Sequence, residues 1–347
     1  MTAHRFSLAR RALAASATVL LLVLGMGRMA SAADPTKVSV AVLYLTSDAG
    51  IFIAIERGYF AEQGLQVELS RTASLADATA LLATNRLDVG TGGATPGLFN
   101  AFRRGATAQI VADKSNQLPP GDQSGGILVR RDLVDGGEVK DVAGLKGRRI
   151  AVNNIQSTSL NYIVRALAQA GLGQDDVKLV EMPFNQFIPA LEKKAVDAAL
   201  IYTPLNQRVE AMGLARALPE AQLAVTSKGD SFNIMLYSEG FAKTEAAKRF
   251  MVAHLKAQRD YLRAVQGKAD MKAICAIIHK YVPALPADCS GMSFTGVDPD
   301  GGVNIQSLER YQKEWLKLGI LKEPIDIAKH VNLEFARYAV SVLGPYL

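Results

Sequence analysis

The sequence predicts an α/β protein with two lobes, in which each lobe is a mainly parallel sheet flanked by helices. Short apolar segments alternate twice with segments of helical periodicity, and a segment rich in proline and glycine separates the two runs. Beyond residue 240 the sequence is mostly helical. Because a parallel strand connection needs a crossover that usually holds a helix, this alternation is typical of parallel sheets. We therefore expect two α/β units and a helical C-terminal tail.

The first 33 residues have the pattern of a secretory signal peptide. Three arginines without any acid precede an apolar segment that is short for a membrane span, and small residues follow at 30–32. Cleavage is expected after Ala32 or Ala33. The pair Arg10-Arg11 leaves twin-arginine export open as the route. We expect a periplasmic protein that is free of the membrane.

The first lobe is predicted from the segments between residues 34 and 117. VSVAVLYL is a continuous apolar segment of strand length, and the helical segment after it ends at Gly64, a residue that suits a helix C-terminus. In order, strands are expected at 38–45, 65–71, 87–91 and 108–115, and helices at 49–64, 75–86 and 95–105.

The second lobe begins after two prolines and three glycines interrupt the pattern at 116–126. Two extended segments, near 117–130 and 222–237, connect the lobes, so we expect a hinge with a cleft between them. In this lobe strands are expected at 126–133, 148–154, 177–183 and 198–204, and helices at 157–171, 185–195 and 205–213. Tail helices are expected at 243–267, 269–281, 305–318 and 328–343. The predicted organisation is a signal peptide at 1–33, a first lobe at 34–117 plus 230–347, and a second lobe at 118–229.

The segment DVGTGGATPGLFNA, residues 88–101, joins a strand end, glycines and a helix start. Gly90-x-Gly92 begins like a dinucleotide fingerprint, but Thr95 stands where glycine or alanine is required, and the segment follows the third strand instead of the first. An anion fits better, because Thr95 can cap a helix whose N-terminus carries partial positive charge. Gly92 and Gly93 are expected to leave room for a ligand beside the main chain. A capped turn without a ligand is the alternative.

Three other strand ends carry polar side chains. In open α/β sheets, ligands collect outside the carboxyl ends of the strands, so polar helix starts from both lobes are expected to face each other across the cleft. Ordinary helix capping explains each of these turns equally well when it is taken alone. The residues are Thr46 and Ser47 after the first strand, Gln156, Ser157, Thr158 and Ser159 in the second lobe, and Tyr202 and Thr203 after a later strand.

Five segments resemble a known family in their order and spacing. They are GYFAEQGLQVEL (58–69), LATNRLDVGTGGATP (82–96), GLKGRRIAVNN (144–154), LEKKAVDAALIYTP (191–204) and GVDPDGGVNIQSLERYQ (296–312). Over roughly residues 38–240 the chain resembles the periplasmic substrate-binding proteins of ABC importers, in the nitrate, taurine and alkanesulfonate group. The resemblance implies a type II periplasmic-binding-protein fold, closure of the lobes over a ligand, and docking on an ABC permease in the inner membrane.

The resemblance also implies which turns contact the ligand. At the last of them many relatives have an aromatic residue followed by an acid, where this chain has Tyr202-Thr203. Without this acid no obvious partner remains at this turn for a ligand amine, which argues against taurine and favours a ligand without a cation. Asp113, Asp122 or Asp230 could take the place of the missing acid. The predicted site consists of Leu45, Thr46, Ser47, Gly93, Ala94, Thr95, Gln156, Ser157, Thr158, Tyr202 and Thr203.

Two cysteines, Cys275 and Cys289, predict one disulfide in an exported chain, with two buried thiols as the alternative. A bridge that closes so short a loop is worth about 3 kcal/mol of chain entropy.

The charge of the chain does not favour nucleic acid. The sequence has 39 Lys and Arg against 33 Asp and Glu, a net charge of +6. Four of the arginines and none of the acids lie in the predicted signal peptide, so the remainder carries only +2. No basic cluster in this remainder has the interleaved aromatic residues of a nucleic-acid interface. We expect a monomer whose partners are a small-molecule anion and a permease, and no nucleic acid.

No pattern in the sequence predicts catalysis, a cofactor or a metal. Outside the signal peptide the histidines are His254, His279 and His330, none with metal-ligand spacing, and GxSxG is absent. His254 shares a predicted helix face with Phe250 and Met251, which indicates a place in the core.

The favoured function is therefore a receptor for a small organic anion, either a sulfonate or a carboxylate, with or without an aromatic ring. One alternative is a receptor for a thiamine-pyrimidine precursor or another heteroaromatic ligand, for which aromatic side chains would offer stacking faces. Two further alternatives are a secreted enzyme on the same scaffold and a binding protein that passes a signal to a sensor instead of delivering its ligand to a permease. The candidate stacking residues are Tyr44, Tyr59, Phe60, Tyr202 and Phe232.

Overall fold

A computed structural model describes residues 34–116, 125–155, 158–202, 205–222, 230–283, 285–289 and 294–347. The predicted signal peptide lies outside the described residues. The chain from Thr36 to Leu347 forms one compact unit. Among the helices of the described ranges, none combines the length and the apolar character that a membrane crossing requires.

Two five-stranded sheets organise the chain. The strands are β1 Thr36–Val42, β2 Leu65–Arg71, β3 Val89–Gly93, β4 Gln109–Asn116, β5 Gly125–Arg130, β6 Arg149–Val152, β7 Lys178–Glu181, β8 Ala198–Tyr202, β9 Ala215–Gln222 and β10 Ser231–Tyr237. The strand order is β2-β1-β3-β10-β4 in the first sheet and β7-β6-β8-β5-β9 in the second. Among these strands, β10 and β5 run antiparallel to both of their neighbours. The prediction of two mainly parallel sheets is confirmed.

Helices cover both faces of each sheet. In the described ranges the α-helices are α1 Ala49–Glu56, α2 Tyr59–Glu62, α3 Leu75–Ala83, α4 Pro96–Arg103, α5 Arg131–Asp135, α6 Thr158–Gln169, α7 Phe187–Glu192, α8 Leu205–Ala211, α9 Glu239–Ala242, α10 Glu245–Val265, α11 Met271–Tyr281, α12 Ile305–Lys317 and α13 Glu334–Leu343. We call each sheet with its helices a lobe. The chain passes between the lobes twice, from β4 to β5 and from β9 to β10.

Alternating side chains along each strand divide the core into layers, as strand geometry requires. In β8, Leu200 packs with α6 on one face, while Ala199 and Ile201 pack with α7 on the other. In β1, Val40 packs with α1 and α10, while Ala41 packs with α3 and α4. The central strands are therefore buried on both faces, which explains their continuous apolar sequences.

The structure corrects several predicted boundaries, two of them in the first βα unit, and adds one strand. The predicted helix 49–64 is two helices, because Gly58 between them has φ 72°. The predicted strand 38–45 ends at Val42, and Tyr44 has φ 56°, a left-handed value that no strand accommodates. Strand β9 was not predicted, since ARALPEAQ contains proline and few β-branched residues; it pairs with β5.

The tail adds a covalent link on the first lobe. Cys275 in α11 and Cys289 form the predicted disulfide, with their Cα atoms 5.6 Å apart. The bridge closes a loop across a sequence separation of 14 residues. His254 in α10 is fully buried, as its helix face predicts.

Candidate functional site

The carboxyl edges of the two sheets meet between the lobes. Asn153 directly follows β6, and its Nδ2 donates a hydrogen bond of 3.1 Å to the main-chain oxygen of Ala73, two residues after β2. Because neighbouring parallel strands end at the same edge, the carboxyl ends of β1 and β3 lie on the Ala73 side, and those of β6 and β8 lie on the Asn153 side. The ends of the four strands that precede the predicted turns therefore lie on facing edges.

The turn after β1 is fixed by a buried ion pair. Thr46 and Ser47 are buried in a short 3₁₀ turn with Asp48. The Asp48 carboxylate accepts a hydrogen bond from the main-chain N–H of Leu45 at 3.0 Å and lies 2.5 Å from the Lys114 ammonium. Both charged residues are 1% exposed. A charge pair removed from water in this way persists only with good geometry, so it holds the turn in one conformation.

Sequence reasoning missed both partners of this pair. A signal was available, because Lys114 stands in IVADKS, a segment of β4 that is otherwise suited to burial. A buried ammonium needs a carboxylate as its partner. Here the carboxylate is that of Asp48, in the turn between β1 and α1.

The turn after β3 begins a capped helix. Thr95 is fully buried, and its Oγ1 accepts a hydrogen bond of 2.9 Å from the main-chain N–H of Leu98. Pro96 occupies the first helical position, where no N–H is required. Gly93 ends β3 and Ala94 is buried beside it. The capping role predicted for Thr95 is thus present in the structure.

Gly90 and Gly92 of β3 serve packing instead of ligand access. A Cβ at Gly92 would lie 3.0 Å from the Cβ of Leu75, and one at Gly90 would lie 2.7 Å from Cδ1 of Leu82. Both leucines belong to α3, which therefore occupies the space over the bare main chain. The expectation that Gly92 leaves room for a ligand is wrong.

A chain of hydrogen bonds lines the second-lobe edge. The hydroxyl oxygens of Ser159 and Tyr202 are 2.9 Å apart, and Ser159 donates to Oδ1 of Asn153. Burial raises the pKa of Tyr202, so its phenol keeps its proton at neutral pH. Asn153 was not singled out from the sequence, although it lies at the end of a predicted strand. Three predicted site residues, Gln156, Ser157 and Thr203, lie outside the described residues, as does the side chain of Thr158.

Buried polar atoms without partners occur after three of the strands that end at this interface. Oγ of Ser47, both amide atoms of Asn161 and Oδ1 of Asn206 have no hydrogen-bond partner in the described structure. Ser47 follows β1, Asn161 lies in the first turns of α6 after β6, and Asn206 is in the first turn of α8 after β8. Asn161 is only 2% exposed. Polar atoms buried in proteins are nearly always paired, so these three turns have unused capacity for a guest molecule.

The lobes also touch through α6 and α12. Arg165 in α6 forms an ion pair with Glu314 in α12. One turn earlier Tyr162 and Tyr311 are hydrogen-bonded, and the burial of Tyr162 raises its pKa. Helix α12 otherwise packs in the core of the first lobe through Leu308 and Trp315, so this contact joins the two lobes.

Two of the three acids that were candidates to receive a ligand amine, Asp113 and Asp230, are not available for that role. Burial raises the pKa of Asp113 to about 8, so it is mostly protonated at pH 7. Asp230 is paired with Arg310, and Asp122 lies outside the described residues. In the described part of the chain, no group of three His, Cys, Asp or Glu side chains is placed to hold a metal ion.

Two of the candidate stacking residues lie elsewhere. Phe60 packs in the core, with its ring centroid 4.7 Å from that of Phe250. The Tyr59 hydroxyl donates to Asp260 of α10 at 2.6 Å. The side chain of Phe232 lies outside the described residues, which leaves Tyr44 and Tyr202 at the interface.

Solved structures share this fold across most of the chain. The alkanesulfonate-binding protein SsuA from Xanthomonas axonopodis pv. citri, bound to MOPS, superimposes with a TM-score of 0.68 and 20% identity, covering 87% of this chain and 99% of its own. The periplasmic nitrate-binding protein NrtA from Synechocystis PCC 6803 gives 0.70 and 18% identity, covering 90% of both chains. The desulfurization enzyme DszB gives 0.60 and 16% identity, covering 89% of this chain and 99% of its own. The fold therefore occurs in both binding proteins and an enzyme.

No curated protein matches the sequence. The family model described as NMT1/THI5 like matches residues 46–265, which is more than half of the chain and includes every strand from β2 to β10. This chain belongs to the NMT1/THI5-like family.

Proposed function

We propose that the protein is a periplasmic solute receptor that binds a small organic anion, a sulfonate or a carboxylate, by closure of its lobes. We further propose that it acts as a monomer, catalyses no reaction and delivers the anion to an ABC permease. The similar proteins named above bind an alkanesulfonate and nitrate. Their similarity to this chain supports a role as a solute receptor. The class of solute has to be inferred from the residues of the site.

The observation that carries the proposal is the set of unpaired polar atoms on both lobes. A buried hydroxyl or amide without a partner costs about 1–3 kcal/mol, a cost that a ligand removes when it binds. A sulfonate or carboxylate oxygen would accept hydrogen bonds from Ser47 of the first lobe and Asn161 of the second. One acid group would thus hold the two lobes together.

Electrostatics at the same edge supports a negative guest. The N-terminus of α4 and that of α6 each carry about half a positive charge. Asp48, the acid in the turn after β1, is neutralised by Lys114. With Asp113 protonated and Asp230 paired, a ligand cation would have no partner among these three acids.

A binding panel tests this proposal. The mature protein is melted with ethanesulfonate, benzenesulfonate, benzoate, nitrate and a 4-amino-5-hydroxymethylpyrimidine. A bound ligand at about 100 times its Kd should add about 2.7 kcal/mol to the free energy of unfolding. Stabilisation by the sulfonates or benzoate supports the proposal. Stabilisation by the pyrimidine alone would refute it in favour of the heteroaromatic receptor, and turnover of any compound would show an enzyme.

Two variants locate the site. Ser47→Ala and Asn161→Ala should each weaken binding of the preferred anion about tenfold, since each removes one hydrogen bond to a charged group. Ser341→Ala, at an exposed serine of α13, is the matched control and should leave the affinity unchanged. Unchanged affinity in both Ser47→Ala and Asn161→Ala would place the ligand elsewhere.

A further inference from the structure

A groove of about 370 Å³ opens between the lobes beside the turn after β1, and the proposed anion contacts do not use it. Leu45, Arg71 and Tyr281 contribute to its first-lobe wall, and Phe184, Ile188 and Arg208 to its second-lobe wall. Leu45 also belongs to the turn of the proposed anion site. The groove is therefore continuous with that site.

The groove is lined by apolar side chains and two arginines. Among its described lining residues are Arg71 and Arg208, and none of them is an acid. The Arg71 guanidinium carbon lies 4.1 Å from the ring centroid of Tyr44, and its Nη1 donates to the main-chain oxygen of Leu43 at 3.4 Å. Stacking of this kind fixes the plane of the guanidinium and leaves its other N–H groups for a ligand. Arg208 is exposed and has no ion pair with any described residue.

The backbone is strained where the groove joins the turn. Tyr44 has φ 56°, and a bulky side chain rarely adopts this left-handed conformation. Such strain persists only where the surrounding structure imposes it, and it is concentrated at functional sites. Here it accompanies the stacking of the Tyr44 ring on Arg71, so the same residue connects the turn with the cationic end of the groove.

We propose that the groove selects a dianionic ligand, in which an aromatic or alkyl body separates two acid groups. One acid group binds at Ser47 and Asn161, as the proposed function requires, and this inference rests on that function. The body lies against Leu45, Phe184 and Ile188. The second acid group binds Arg71 of the first lobe and Arg208 of the second, so a dianion links the lobes at two points where a monoanion links them at one.

Calorimetric titration with matched acids tests the proposal. The pairs are benzenesulfonate with 4-sulfobenzoate, and hexanoate with hexanedioate, so that each dianion differs from its monoanion by one carboxylate. In at least one pair the dianion should bind about tenfold more tightly, the factor that one charge-assisted contact supplies. Arg208→Gln should lower the affinity for that dianion at least about tenfold and the affinity for its monoanion less than about threefold. Arg71→Gln should do the same.

The control is Arg86→Gln, at an exposed arginine before β3 that should alter neither affinity. Equal binding of dianion and monoanion in both pairs would overturn the inference while leaving the proposed function standing. An Arg208→Gln variant that loses as much affinity for the monoanion as for the dianion would also overturn it. If none of the four acids binds, this inference fails, and if ethanesulfonate and benzoate also fail to bind, the proposed function fails with it.

Discussion

At the scale of single residues, Thr95 has a structural role that is separable from a binding role. Thr95→Ala removes the acceptor for the Leu98 N–H, so the free energy of unfolding should fall by about 1 kcal/mol. We expect the affinity for the preferred anion to fall as well. Urea denaturation and calorimetric titration measure the two effects.

The control for this variant is another cap of the same type. Thr244 caps α10 by accepting from the Ala247 N–H at 3.3 Å. Thr244→Ala should cost similar stability and leave anion affinity unchanged. If Thr95→Ala behaves in the same way, Thr95 is a cap and has no part in binding.

His254 should make the protein sensitive to acid. Burial, and then the nearby Lys114 charge, lower the pKa of its imidazole to about 3 from 6.5, and neither ring nitrogen has a hydrogen-bond partner in the described structure. The folded pKa lies below the unfolded pKa, so the stability from the neutral ring is complete above pH 6.5 and is lost as the pH falls toward 3. Below pH 6.5 the free energy of unfolding falls by about 1.4 kcal/mol per pH unit, so the loss at pH 5 is about 2 kcal/mol.

His254→Leu removes this titration. Between pH 7.5 and pH 5, the variant should lose about 2 kcal/mol less of its free energy of unfolding than the parent protein, measured by urea denaturation at both values. An equal loss in the two proteins would show that His254 does not control the acid response. The comparison uses the difference between two pH values, so any packing cost of the leucine cancels.

Local rules explain which site residues the sequence could reveal. Thr95 was found because helix caps depend on neighbouring residues, and Cys275 and Cys289 because two cysteines allow one pairing. The Asp48–Lys114 pair was missed because its members are 66 residues apart, so that only the sheet brings them together. Asn161 was missed because its unpaired amide is a property of the assembled lobes.

At the scale of elements, the disulfide anchors α11. It ties Cys275 in that helix to Cys289, beyond the segment Tyr281–Pro283 that contributes to the groove wall. The double variant Cys275→Ala with Cys289→Ala should lower the free energy of unfolding by about 3 kcal/mol, because the unfolded chain regains the entropy of the open loop. Dithiothreitol should destabilise the parent protein similarly and leave the double variant unchanged. A variant as stable as the parent would show that the bridge adds nothing.

Elements with strong local patterns were predicted well, and those that depend on tertiary context were not. Strand β2 has the predicted bounds because LQVELSR alternates polar and apolar residues. Strand β9 was missed because β5 stabilises a segment with little strand preference of its own. The helix break at Gly58 was also missed, since apolar periodicity continues across a left-handed glycine.

At the scale of the whole molecule, the two-lobed fold followed from alternation and from one proline-rich interruption. The sequence could not show how the lobes meet, because the Asn153–Ala73 bond and the α6–α12 contact join segments from different lobes. The predicted signal peptide, export route and permease remain predictions.

The contact between α6 and α12 should bias the lobes toward the arrangement seen here. Arg165 and Glu314 are each about one-third exposed, with side-chain exposures of 29% and 32%, so their pair is worth at most about 1 kcal/mol. Glu314→Gln should therefore favour separated lobes by up to about fivefold. Small-angle scattering should show a larger radius of gyration for the ligand-free variant, anion affinity should fall by up to the same factor, and saturating ligand should restore compactness.

Glu323→Gln is the matched control, because Arg103–Glu323 lies within the first lobe and should affect neither quantity. If Glu314→Gln changes neither the radius nor the affinity, the α6–α12 contact does not participate in closure, and the lobes are held by the Asn153–Ala73 hydrogen bond and the ligand.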